Sequence, residues 1–250
     1  MDKLFLHSVI KQYLAKLYCC YESDLDTTNT IFSTCPNAMP GFMKIMTYRN
    51  CTIVCTSAEL QSHIKSEMSP KNRDEIFEHP LVYGETIHYI PNLDLISEPI
   101  LPDQFSYELL CESTICKLSN LSGFENSVSM SESGCVSTQI ALVARHNGKI
   151  IGIAGAGKTS DLLWEVGIDV DPNYRNANLG TNLVRKLTIE ILKRGIVPFY
   201  SASITNLGSQ MVASRSGYEP CWIDTFGNIF DDLYPYKAYI QPSDKALKII

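Results

Sequence analysis

Val170-Asp171-Pro172-Asn173-Tyr174-Arg175-Asn176-Ala177-Asn178-Leu179-Gly180-Thr181 is the stretch on which the reading of the fold turns. Before it, Val166, Ile168 and Val170 alternate with Gly167 and Asp169, the period of a strand running over Leu162–Val170. Asp171-Pro172 breaks that strand. After it, Leu179, Leu183, Val184, Leu187 and Ile191 recur at helical spacing, predicting a helix from Leu179 to Arg194 that Gly195 ends. A strand, a tight turn and a helix opening at a glycine gather backbone N–H groups at the positive end of a helix dipole, which suits a pyrophosphate. Arg175 adds a cation at the mouth of that turn. A plain β-to-α loop has the same outline, so the neighbouring elements must decide.

They form a regular series. Thr138–His146 alternates as a strand, Asn147-Gly148 is a strong hairpin turn, and Lys149–Ala156 returns. Thr159-Ser160-Asp161 turns into the strand ending at Val170. Beyond the helix, Val197–Ser203 predicts a strand, Asn206–Ser216 a helix ended by Gly217, and Glu219–Phe226 a last strand. The order is β-β-β-α-β-α-β. The first half reads as mixed α+β. It has a helix over Lys3–Cys20, strands at Phe42–Tyr48 and Thr52–Thr56 across an Arg49-Asn50 turn, and helices at Ala58–Met68 and Lys71–Phe77, the second capped at Ser69-Pro70. An extended piece follows at Thr86–Ile90. The proline-marked Pro91–Pro102 is the expected boundary, giving an N-terminal domain over 1–102 and a second over 103–250.

Two separated motifs in this order resemble the GNAT superfamily of acyl-CoA N-acyltransferases. Its signature of Arg or Gln, two variable residues, Gly, a variable residue and Gly or Ala reads here Arg175-Asn176-Ala177-Asn178-Leu179-Gly180. Its Asn-x-x-Ala/Ser helix ending in Gly-Phe/Tyr reads Asn206-Leu207-Gly208-Ser209 and then Gly217-Tyr218. The resemblance covers the last half of the chain. Asn178 replaces the first motif glycine, and asparagine is the side chain that best tolerates positive φ. Ala213 stands where many members carry a tyrosine general acid. The first half, with Tyr83-Gly84-Glu85-Thr86-Ile87-His88-Tyr89, is similar to the N-terminal extensions of some bacterial two-part GNAT proteins.

The resemblance implies an α+β fold: a mixed, splayed β-sheet flanked by helices, carrying a smaller α+β N-terminal domain. It implies acetyl-CoA as co-substrate, without a metal. Pantetheine would pair with Ile168 and Val170, with the Val170 N–H polarising the thioester carbonyl. Pyrophosphate would lie on Arg175, Asn176, Ala177, Asn178, Leu179, Gly180 and Thr181. Asn206 and Ser209 complete the cofactor set. For the chemistry, Glu165 is the candidate base, Asp169 shares its parity on the strand, and Tyr218 is a candidate acid. Each has an ordinary alternative: surface carboxylates in a hairpin, and a core tyrosine. His88 is a candidate to reach the cleft or a half-buried structural histidine. The Tyr234, Tyr236 and Tyr239 group covers the cleft or packs at the C-terminus.

Composition narrows the classes. A net charge of −6 lacks the basic excess that phosphate neutralisation requires, which argues against nucleic acid. No run of about 18 apolar residues appears, so no membrane span is expected. Nine cysteines, an odd number without a CxxC pair or a secretory signal, point to reduced, mostly buried thiols in a cytoplasmic protein and not to zinc. Gly152-Ile153-Ala154-Gly155-Ala156-Gly157-Lys158-Thr159 matches the P-loop pattern, but Gly167 and Pro172 cut short the helix a P-loop needs. The leading expectation is therefore an N-acetyltransferase acting on a small-molecule or peptide amine, with a homodimer as one arrangement. A non-catalytic acyl-CoA-binding module and a P-loop hydrolase are the alternatives.

Overall fold

The computed structural model describes residues 1–119, 121–175 and 178–229. In chain order the elements are helix α1 (Lys3–Leu17), strands β1 (Thr30–Thr34), β2 (Phe42–Tyr48) and β3 (Cys51–Thr56), and helices α2 (Ala58–Met68) and α3 (Arg73–Phe77). Strands β4 (Thr86–Pro91), β5 (Ser106–Cys111), β6 (Thr138–His146), β7 (Lys149–Ser160) and β8 (Leu163–Val170) follow. Then come helix α4 (Leu179–Leu192), strand β9 (Val197–Ser203), helix α5 (Leu207–Arg215), and strands β10 (Tyr218–Asp224) and β11 (Asn228–Ile229). Tyr234, Tyr236 and Tyr239 lie outside the described residues.

Packing divides the chain into two compact units, each discontinuous. Of the described residues, one joins Met1–Tyr13 to Ile87–Cys221, and the other joins Leu14–Thr86 to Trp222–Ile229. This division differs from a single cut at 102. The reason is physical: β4 supplies a strand to the later unit, and the end of β10 pairs with β2 in the earlier one.

In the unit containing β2, β1 lies parallel to β3, β3 runs antiparallel to β2, and Trp222–Asp224 and β11 add to β2. Leu60, Ile64 and Met68 fall at four-residue intervals along α2 and pack on Met43, Ile45 and Val54. Helix α3 begins later than the sequence predicts. Asn72, not the Ser69-Pro70 pair, caps it, accepting from the Glu75 N–H while Glu75 returns a bond to the Asn72 N–H. The expectation of mostly buried thiols is also corrected. All nine cysteines are free, but only Cys51 and Cys55, on the fully covered β3, are buried. Cys19 sits in the turn after α1, Cys116 in a 3-10 helix over Glu112–Leu118 and Cys135 in a bend, and all three are exposed.

The other unit holds the predicted β-β-β-α-β-α-β series, in the strand order β5-β6-β7-β8-β9-β4-β10. β5 to β8 form an antiparallel meander, and β8 pairs in parallel with β9. Asn147 and Gly148, at φ 51° and 80°, make the tight turn between β6 and β7. On one face Leu179, Leu183, Val184, Leu187 and Ile191 of α4 pack against Ile140, Leu142, Ala154, Val166 and Tyr200. Each such side chain contributes about 1.5–3 kcal/mol by leaving water. On the opposite face Leu118 and Val128, from the irregular segment between β5 and β6, cover Leu110, Ala141, Val143 and Ile153.

Gly152–Thr159 lies within β7, which stays extended to Ser160 and turns directly into β8. The P-loop reading is therefore overturned: no helix follows the strand. Lys158 instead pairs with Asp161 across that turn at 2.6 Å. No described helix is long and apolar enough to cross a membrane.

Candidate active site

The site begins where β8 and β9 part. Their parallel pairing runs from Leu163↔Val197 to Val166↔Tyr200 and stops there. β8 continues to Val170 and β9 to Ser203, so the two strands open into a cleft. The Asp171 N–H bonds the Ile151 carbonyl on β7. Peptide groups alternate along a strand, so those of Ile168 and Val170 face the opposite way, into the cleft. The Val170 carbonyl confirms the direction by accepting Arg175 Nε at 3.0 Å.

The ends of two helices close the far side. Asn178 caps α4 at φ 58°, in the left-handed region that asparagine tolerates best. The turn before it is fixed by Asp171, whose carboxylate accepts from the Asn173 N–H and from Lys149 at 2.7 Å. The lysine is the main cause of an Asp171 pKa below the usual range. Gly180 lies over β8, and an added Cβ there would make ordinary contacts with Val170 and Ile168 at 3.4–3.5 Å. Asn206 caps α5 by accepting from the Ser209 N–H at 3.1 Å. The Tyr200 hydroxyl bonds Ser209 Oγ at 2.7 Å, and burial raises the Tyr200 pKa.

A cavity of about 910 Å³ occupies this cleft and extends onto the sheet face opposite α4. Of the predicted cofactor residues, Ile168, Val170, Arg175, Asn178, Leu179, Gly180, Thr181, Asn206 and Ser209 all line it. Asn176 and Ala177 lie outside the described residues. Glu165 lines it too, is exposed, and has no hydrogen-bond or ion-pair partner among the described residues.

The other two catalytic candidates are placed differently. Asp169 lines the cavity, but its carboxylate is committed. Its Oδ2 accepts from the Asn126 N–H, the Ser127 N–H and Ser127 Oγ at 2.8–2.9 Å, and its Oδ1 accepts from Asn126 Nδ2 at 2.6 Å. Tyr218 does not reach the cavity. It is buried against α4 with its hydroxyl 2.7 Å from Thr188 Oγ1, and burial pushes its pKa far up. Tyr218 is thus corrected from candidate acid to core residue. Ala213, also buried, offers no proton.

Sequence reasoning missed Tyr200, Ser201, Ser203 and the Asn126–Ser127 pair, which all line the cavity. None sits in a motif; the strand prediction over Val197–Ser203 was the only available signal for the first three. His88 lies beside the cleft, with Nδ1 2.9 Å from the hydroxyl of Ser201.

A mixed sheet splayed between two parallel strands, with helix N-termini at the opening, is the architecture of an acyl-transferring domain. The GNAT acetyltransferase family model matches residues 135–221, which run from β6 into β10, and over that stretch the chain carries the features of the GNAT superfamily. No curated protein matches the chain. Among solved structures, it is similar to an acetyltransferase of the GNAT family from Novosphingobium aromaticivorans, with 18% identity, 57% of this chain and 63% of that one covered, and a TM-score of 0.43. A GCN5-related N-acetyltransferase-like protein from Streptococcus suis gives 16% identity, 71% of each chain and a TM-score of 0.42. A GNAT-family acetyltransferase from Colwellia psychrerythraea gives 11%, 58% and 57%, and 0.43. The chain thus spans less than two thirds of the length of the first of these.

Proposed function

We propose that the protein transfers an acetyl group from acetyl-CoA to a primary amine of a small molecule or peptide, by direct attack. The observation that carries this reading is the end of β8–β9 pairing at Val166↔Tyr200, beyond which the Ile168 and Val170 peptide groups, directed away from β7, face a cleft. An extended pantetheine arm can add to β8 there as an edge strand does. The α4 N-terminus, with Arg175 beside it, supplies N–H groups and positive charge for a pyrophosphate.

In this reading Glu165 takes a proton from the incoming ammonium, directly or through water, and the neutral amine attacks the thioester carbon. The Val170 N–H stabilises the developing oxyanion. The C–S bond then breaks, the attacking nitrogen loses its second proton to solvent, and the leaving thiolate is protonated by the Tyr200–Ser209 hydroxyl pair, which solvent reprotonates, or by solvent directly. A phenol is protonated at neutral pH, as a donor must be, and burial raises the Tyr200 pKa further.

The test is calorimetric titration of the full chain with acetyl-CoA, followed by amine-dependent release of CoA thiol. Binding with release supports the transferase. Binding with no release for any amine favours the non-catalytic acyl-CoA module, the reading that the buried Ala213 motivates. No binding removes the central claim.

A further inference from the structure

The amine's place in the cavity is not set by the cofactor cleft; it follows from the sheet face opposite α4. Three consecutive cross-strand pairs of β7 and β8 share that face: Ile153↔Asp169, Gly155↔Gly167 and Gly157↔Glu165. The chain passes directly over the middle pair. A Cβ on Gly155 would lie 1.8 Å from the Ser127 carbonyl oxygen, and one on Gly167 would lie 1.7 Å from that of Asn126. Only glycine admits such an approach. Asp169, in the first pair, holds the segment down through its four bonds to Asn126 and Ser127. Val128 anchors the other side, packed beneath with Leu118, Val143 and Ile153.

The third pair is different. A Cβ on Gly157 would meet nothing within 4 Å among the described residues, and the exposed Glu165 stands opposite it. The overlying segment therefore stops one residue pair short of Glu165. What results is an open floor at Gly157, a carboxylate beside it, and a wall made by Asn126 and Ser127, all lining one cavity.

We propose that this recess, with floor Gly157, wall Asn126–Ser127 and carboxylate Glu165, receives the acceptor's primary ammonium group, and that Asp169 is the positioning residue that holds the wall. The inference rests on the acetyltransferase reading. The unbranched floor admits the amine to Glu165, and the wall limits what can follow it. Asp169 makes no contact with the reacting atoms; it acts through Asn126 and Ser127.

Two variants test it in the full chain. Gly157→Leu places a side chain on the floor, directly opposite Glu165, in space the fold leaves empty. Asp169→Asn replaces one carboxylate oxygen with a donor facing other donors. Spermidine, D-glucosamine and a blocked tripeptide with a central lysine serve as amine probes, read with the fastest of the three. Gly157→Leu is expected to lower kcat/KM for the amine at least 100-fold while the acetyl-CoA Kd stays within twofold. Asp169→Asn is expected to raise the amine KM at least tenfold, with kcat within threefold and the acetyl-CoA Kd within twofold. Hydrogen exchange at the Asn126 and Ser127 amides should accelerate at least tenfold in that variant. An unchanged amine KM in both variants overturns the proposal, as does an acetyl-CoA Kd that weakens as much as the amine KM. Acetyl-CoA binding by the wild type with none of the three amines acetylated also counts against it and leaves the cofactor reading standing. No acetyl-CoA binding at all removes the acetyltransferase reading itself.

Discussion

At the scale of single residues, the site separates groups that look alike in sequence by where their hydrogen bonds go. Glu165 and Asp169 share a strand and a face, yet Asp169 is saturated by donors and Glu165 is not. Glu165→Gln should therefore lower kcat about 100-fold or more, the usual contribution of a general base, and leave the acetyl-CoA Kd unchanged. Steady-state kinetics beside calorimetry would show it, and an unaltered kcat would remove Glu165 from the chemistry. Tyr218→Phe should cost about 1 kcal/mol of stability through the lost Thr188 partner and keep kcat within threefold. Asn178 gives a backbone prediction. A β-branched residue pays the full left-handed penalty, so Asn178→Val should lose about 1–2 kcal/mol in urea unfolding, whereas Asn178→Gly should keep full stability and bind acetyl-CoA at least as tightly. Asn178 and Asn206 were legible in the sequence because turn and cap chemistry is local. The direction of Tyr218 was not, since a Gly-Tyr after a helix says nothing about which face the ring takes. The wall at Asn126–Ser127 was equally hidden: it depends on Asp169, 42–43 residues away, and on Gly155 in β7 and Gly167 in β8.

Among the elements, strong periodicity carried the reading and weak periodicity hid strands. β6 to β9 and α4 were predicted within a few residues because their apolar positions keep one period throughout. β1 and β5 escaped prediction because most of their positions are only half covered, so neither Thr30–Thr34 nor Ser106–Cys111 shows a clean alternation. The glycine-rich β7 shows the reverse error that a motif invites. Gly152, Gly155 and Gly157 match a phosphate loop by letter, but they serve close approach to Leu183, passage of the 126–127 backbone, and an open floor. Helix α4 offers two opposed tests. Leu187 is fully buried in the core under the sheet, so Leu187→Ala should cost about 2–5 kcal/mol by denaturant unfolding. Gly180→Ala should instead be tolerated and gain about 0.5–1 kcal/mol, because its Cβ meets only ordinary contacts and alanine loses less backbone freedom in a helix. A destabilised Gly180→Ala protein would mean that α4 sits closer to β8 than these distances allow.

For the whole molecule, the chain passes between its two compact units three times, after Tyr13, after Thr86 and after Cys221. No composition shift marks the first or the last of these, which is why the sequence offered only the proline-rich stretch as a boundary. The cavity belongs wholly to the unit of residues 1–13 and 87–221. A ligand that binds only the folded state stabilises by RT ln(1 + [L]/Kd), about 2.7 kcal/mol at 100 times Kd, and it acts on the unit that holds it. The two tryptophans report the two units separately: Trp164 is on β8 in the cavity-bearing unit, and Trp222 is in the other. In Trp222→Phe, where Trp164 alone emits, saturating acetyl-CoA should raise the midpoint of thermal unfolding by several degrees. In Trp164→Phe, the same titration read at Trp222 measures how much of that stabilisation the second unit shares. A Trp164 midpoint that stays fixed while acetyl-CoA binds would place the cofactor outside the β8–β9 cleft, and every role assigned there to Ile168, Val170 and the α4 N-terminus would fall with it.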